Sequence, residues 1–216
     1  MARVYAAARF CYNDRNPSER GMMSVTEIRA YLVRLRPYLI ASIILFGGGF
    51  VIGLMIVHRF PQMADSFESS LTGFVKIFRD LPKFRLFTAI FINNSVKTLL
   101  AILLGLIFGL IPAFFLIVNG AALGAVMSLS THARGLRESL LSVLPHGIPE
   151  LGAVFLGTAI GIMLGMMVLR KITGKSQVKI GTELRQGFKF FYSVIIPLLV
   201  FAAGVEAYVT TALITR

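Results

Sequence analysis

Between Leu86 and Leu129 the chain carries a single charged residue, Lys97. One helical crossing of ~30 Å of hydrocarbon uses about 20 apolar residues, and this run is roughly twice that length. It must therefore fold back on itself as a membrane hairpin. Gly109 to Pro112 is its only obvious break, which predicts two crossings, over about 86–108 and 111–129.

Comparable runs on either side predict further crossings over about 38–57, 140–169 and 190–214. The fold class is all-α: a polytopic transmembrane helical bundle of about five spans. Composition agrees, with 56% hydrophobic and 15% charged residues and a mean hydropathy of +0.78, too apolar for an ordinary soluble domain. The formal net charge of +12 raises nucleic acid as a partner. The basic residues flank apolar runs instead of forming one patch, so the expected partner is the lipid bilayer and not nucleic acid. Cys11 is the only cysteine, which excludes an intrachain disulfide and a thiolate metal cluster.

Charge distribution sets the expected orientation. In residues 1–37 the arginines from Arg3 to Arg36 outnumber Asp14, Glu19 and Glu27. After the fourth run, Arg170, Lys171, Lys175, Lys179, Arg185 and Lys189 face only Glu183. The positive-inside rule places both segments in the cytoplasm. The chain thus divides into a cytoplasmic basic arm, 1–37, and a transmembrane domain, 38–216, with its N-terminus inside and C-terminus outside. No cleavable leader is expected, because the first apolar run begins only near Tyr38.

Two stretches read as interfacial amphipathic helices. Ser24 and Glu27 have capping-box spacing, and Ile28, Tyr31, Leu32 and Leu35 recur at helical intervals. This pattern predicts a short helix, Val25 to Arg36, lying on the inner leaflet, with a plain juxtamembrane connector as the alternative. Phe67, Leu71, Phe74, Phe78 and Leu81 alternate with Glu68, Lys76, Arg79 and Asp80, predicting an outer interfacial helix over about 65–82.

The least typical segment is Leu144 to Leu151, L-P-H-G-I-P-E-L. An ionisable group at membrane depth costs roughly 2.5–3.5 kcal/mol on insertion scales. Pro145 and Pro149 remove helix hydrogen bonds and Gly147 weakens the helix between them. A broken or re-entrant helix near Pro145–Glu150 is expected. Such a break brings His146 and Glu150 to the depth of Asn93, Asn94, Lys97, Asn119 and Glu206, forming one intramembrane polar site in which Lys97 pairs with Glu150 or Glu206. The pairs Gly105/Gly109, Gly120/Gly124, Gly157/Gly161 and Gly161/Gly165, with the G-G-G-F-V-I-G run from Gly47, read as close helix packing.

Catalysis is weakly supported. His146, Glu150 and Glu206 are the candidate metal ligands, and a catalytic zinc needs three protein ligands and an open position. The chain has no H-E-x-x-H, no G-x-S-x-G and no phosphate-binding lysine loop. No catalytic residue and no cofactor is expected; a bound metal ion is the alternative.

Four segments together carry a family resemblance: I-N-N-S-V-K-T-L-L (Ile92 to Leu100), I-P-A-F-F-L-I-V-N-G-A-A-L-G (Ile111 to Gly124), L-P-H-G-I-P-E-L, and A-A-G-V-E-A-Y-V-T (Ala202 to Thr210). In this order they resemble the stage II sporulation protein M family. The resemblance implies a polytopic membrane protein. In spore-forming bacteria it implies a partner of peptidoglycan-degrading proteins at the engulfing septum, acting as anchor or scaffold and not as the hydrolase; the family also occurs in organisms that make no spores. Its polar signature falls on Asn94, Asn119, Gly120, His146, Gly147, Glu150 and Glu206.

Residues and resemblance leave three expectations. The first is a non-enzymatic scaffold that assembles with itself, as a homo-oligomer, or with envelope or membrane partners. The second is a small transporter or channel in which Lys97, His146, Glu150 and Glu206 line an ion- or proton-responsive site. The third is a metal-dependent intramembrane hydrolase.

Overall fold

The computed structural model describes residues 22–60, 81–175 and 177–210. Among them there is no strand, and five helices are long and apolar enough to cross a membrane. The basic arm before residue 22, nearly all of the expected outer helix (65–82) and the last residues of the fifth expected crossing lie outside the described residues.

The first helix, α1 (Val25–Arg59), begins at the anticipated capping box. The Glu27 amide donates to the Ser24 hydroxyl at 3.4 Å, and the Ser24 amide donates to the Glu27 carboxylate at 2.7 Å. The expected surface helix and the expected first crossing are one element, continuous through Pro37. Proline removes one backbone hydrogen bond, but tertiary contacts hold the turns before it. Tyr31 and Leu35 are buried, and the Tyr31 ring packs on Phe190 with centroids 4.9 Å apart. Arg34 forms an ion pair with Glu183 and donates to Gln186 at 3.1 Å. This face packs on protein, not on a leaflet.

Helix α2 (Lys83–Leu104) and helix α3 (Leu110–Arg134) form the hairpin that the long apolar run demands. The chain reverses just before Pro112, through Phe108 (φ 53°) and Gly109 (φ 72°). Pro112 then falls in the first turn of α3, where its missing N–H has no intrahelical acceptor to lose.

Helix α4 (Leu136–Ile172) corrects the expectation of a broken or re-entrant helix: its backbone stays helical from end to end, through Pro145, Gly147 and Pro149. The two prolines are four residues apart, so they free the carbonyls of Leu141 and Pro145 on two successive turns of one helix face, one bond in each turn. Packed membrane helices tolerate such losses. At about 55 Å by helical rise, α4 is longer than one crossing. Its first turns form the connection with α3, where the Ser139 hydroxyl donates to the Gly135 carbonyl at 2.9 Å and pairs with the Ser130 hydroxyl at 2.8 Å.

The last crossing is a composite. Helix α5 (Ile180–Phe190) is amphipathic, a polar helix where the basic run reads as a loop. It passes through a π-helical turn, Phe191–Ile195, into α6 (Ile196–Gly204), and ends in a second π-helical turn, Val205–Thr210. Pro197 explains the first π turn. A proline clashes with the carbonyl four residues earlier, here Ser193, and widening the preceding turn relieves it.

Glycine contacts fix how these helices lie. A Cβ on Gly49 would strike the carbonyl oxygen of Ile117, and one on Gly53 that of Ala121. Conversely, Gly120 meets the carbonyl of Phe46, and Gly124 that of Phe50. Residue numbers rise together, so α1 and α3 are parallel, and theirs is the most extensive helix contact in the fold. Gly157 against Thr98, Gly161 against Ala101 and Gly165 against Gly105 make α2 and α4 parallel in the same way. Since α2 and α3 form a hairpin, consecutive crossings alternate in direction. The end where α1 starts is here termed proximal and the opposite end distal.

A buried polar layer and its surroundings

Seven side chains are candidates for a common polar site: Asn93, Asn94, Lys97, Asn119, His146, Glu150 and Glu206. Asn94 is buried, 7% exposed, on the face of α2 that meets α4, and accepts a hydrogen bond from Asn93 Nδ2 at 3.3 Å. Asn119 is half-buried on α3, and its Nδ2 donates to the Phe115 carbonyl of its own helix at 2.7 Å. Among the described residues it makes no hydrogen bond to a neighbouring helix. Glu150 is half-buried on α4. His146 is helical in backbone, and its side chain lies outside what is described.

Lys97 departs from the expected pairing. Lys97 is exposed on the flank of α2. Among the described residues it has no salt bridge, and the ion pair expected with Glu150 or Glu206 does not form. Glu206 is half-buried in the distal π turn. Lys83 Nζ lies 6.0 Å from the Tyr208 ring centroid, which sets this turn beside the distal start of α2. With Thr98 opposite Gly157, Lys97 is level with residue 156 of α4, about 9 Å proximal to Glu150 at 1.5 Å per residue. Glu206 lies on the order of 15 Å distal to Lys97 by the same rise. Along the bundle axis Asn94, Lys97, Asn119 and Glu150 fall within a few turns of one another, and Glu206 lies about one further turn distal to Glu150.

The centre of the bundle holds a different polar set. Ser42 on α1 and Thr158 on α4 are fully buried, and Thr98 on α2 is 1% exposed. The Thr158 hydroxyl donates to the Val154 carbonyl at 2.7 Å and lies 3.4 Å from the Ser42 hydroxyl. Among the described residues Thr98 Oγ1 has no hydrogen-bond partner. Hydropathy does not single out serine or threonine. The signal available in sequence is spacing, since Thr98 follows Asn94 by four residues on one helix face.

A metal site would need several ligands to converge. Among the described residues no three His, Cys, Asp or Glu side chains do so. A shallow surface depression, lined by Phe84, Arg85, Thr88, Ala89, Ile92 and Asn93, lies on one helix, the distal half of α2, and not at the central hydroxyls.

Five apolar helices of alternating direction, closely packed at glycines around a small polar core, define a multi-pass helical membrane protein. Its family follows from sequence comparison. The stage II sporulation protein M family matches residues 42–211, and the chain belongs to it. A protein of Methanocaldococcus jannaschii described as "Uncharacterized protein MJ0793" is 26% identical over 179 residues, covering 82% of this chain and 96% of the relative. No solved structure matches.

Proposed function

We propose that this protein is a non-enzymatic membrane scaffold, an assembly component that holds envelope or membrane partners, or further copies of itself, around a rigid bundle. The observation that supports this reading is the contact of main chain with main chain at two parallel helix pairs, α1 with α3 and α2 with α4. Helices interlocked in this way resist the rocking of one half against the other that alternating access requires. A rigid body suits an anchor. The basic segments support an orientation with the N-terminus in the cytoplasm and the C-terminus outside.

One observation favours the second reading, a small transporter or channel. Glu206 sits in a π-helical turn, and π turns within helices are frequent at functional sites. An intramembrane carboxylate there is suited to carry a proton or bind a cation.

The deciding experiment compares wild-type protein with Glu150→Gln and Glu206→Gln in liposomes, measuring proton and cation flux beside assembly in native membranes. The scaffold reading expects no flux above empty liposomes and unchanged assembly. Flux lost in either variant, with assembly intact, overturns it.

A further inference from the structure

Lys97 is unusual in where its charge lies. The register with α4 places it about 18 Å from the level of Arg85 at the distal end and roughly 20 Å from that of Arg170 at the proximal end, at 1.5 Å per residue. That is the middle of a ~30 Å hydrocarbon slab. A lysine side chain reaches about 6 Å, so snorkelling to either surface leaves the ammonium well short of water and headgroups. Yet Lys97 is exposed on the bundle surface, among the exposed apolar residues Ile92, Val96 and Leu100. Asn93, one turn distal on the same stripe, is exposed as well. An ammonium facing lipid tails there would cost several kcal/mol.

We infer that this stripe of α2, Asn93 with Lys97, is an intramembrane docking surface for a transmembrane helix of a different protein that carries an aspartate or glutamate near its midpoint. Charge complementarity selects the occupant. A carboxylate opposite Lys97 turns a costly exposed charge into an ion pair shielded from lipid, and Asn93 supplies a second polar contact one turn away. A second copy of this chain fits poorly. Symmetric packing through this stripe sets Lys97 against Lys97, and the chain's own intramembrane carboxylates, Glu150 and Glu206, lie about 9 Å and on the order of 15 Å distal to it. A lipid headgroup cannot reach this depth. The inference rests on the scaffold reading and specifies one of the scaffold's partners.

The test uses the full-length protein in bilayers with a synthetic polyleucine transmembrane peptide bearing one central aspartate, association being read by energy transfer. Expected is association at least tenfold weaker with Lys97→Met, and likewise with a peptide whose aspartate is replaced by leucine. Equal association of both peptides, or an unchanged signal with Lys97→Met, overturns the inference. A photocrosslinker at Val96 in native membranes gives the second readout. An adduct to a helix with a central carboxylate, lost with Lys97→Met, supports the inference; an adduct only to another copy of this chain overturns it. Assembly of Lys97→Met with envelope partners separates the two readings. If it persists while the peptide fails to discriminate, docking through Lys97 falls and the scaffold stands.

Discussion

Gly53 of α1 lies against the carbonyl oxygen of Ala121 on α3 with no room for a side chain between them. The same is true of Gly49 at Ile117, and in the reverse sense of Gly120 at Phe46 and Gly124 at Phe50. Without a hydrophobic drive between helices in lipid, such close approach is a main source of association energy.

Gly53→Leu and Gly124→Leu should therefore each destabilise the bundle by about 1–3 kcal/mol or more, the usual cost of overpacking. Gly47 and Gly48 of the same glycine run have open space at the Cβ position. Alanine at either should be neutral or slightly stabilising, since glycine is the poorer helix former by about 1 kcal/mol. Thermal unfolding in detergent checks both. Equal losses at Gly47 and Gly53 would show that the α1–α3 contact is misplaced.

The central hydroxyls yield a prediction of opposite signs. Thr158→Val removes a hydroxyl that donates to Val154 and approaches Ser42, and should cost about 0.6 kcal/mol, the typical value for such bonds between membrane helices. Thr98→Val removes a buried hydroxyl that has no partner among the described residues. Relieving an unsatisfied polar group is neutral or stabilising. Equilibrium unfolding of the two variants side by side should order them as Thr98→Val, wild type, Thr158→Val, from most to least stable or with the first two equal. A loss with Thr98→Val as large as that with Thr158→Val would mean that its hydroxyl is satisfied.

The number of crossings was legible because a membrane makes hydropathy nearly decisive: no chain leaves Leu86–Leu129 in water, and no lipid-exposed backbone stays unpaired. The face presented by each helix was not. Asn94 and Thr98 lie on one side of α2, Asn93 and Lys97 on the adjacent one, and both stripes continue into aliphatic residues, so periodicity cannot choose which is buried. Polar outliers such as Asn94 and Glu150 stand out against leucine and isoleucine, whereas Ser42, Thr98 and Thr158 do not. Pro37, Pro145 and Pro149 read as punctuation because proline acts locally, and the contacts of Tyr31 and Leu35 that carry α1 through Pro37 come from a segment more than a hundred residues away in sequence.

Continuity of α4 makes its prolines replaceable. Were the helix broken there, Pro145→Ala and Pro149→Ala would straighten it and disrupt the fold. In an already helical backbone each substitution restores one amide donor, to the carbonyls of Leu141 and Pro145 respectively. Alanine at either position should keep the protein monodisperse and raise stability, by up to about 3 kcal/mol on the intrinsic helix scale. Thermal unfolding and size-exclusion profiles would show it; aggregation of both variants would restore the broken helix.

Alternating crossings make orientation a single binary question. If the basic segments lie in the cytoplasm, a cysteine in place of Lys175, after α4, is shielded in intact cells. One in place of Ala133, at the α3–α4 connection, faces outward. Cys11 is the only native thiol, so Cys11→Ser gives a clean background. A membrane-impermeant maleimide should label Ala133→Cys in intact cells, and Lys175→Cys only after the membrane is opened. The reverse pattern would invert the bundle and place the paired Arg34 and Glu183 outside. Labelling of both in intact cells would break the alternation that the parallel pairs α1–α3 and α2–α4 require.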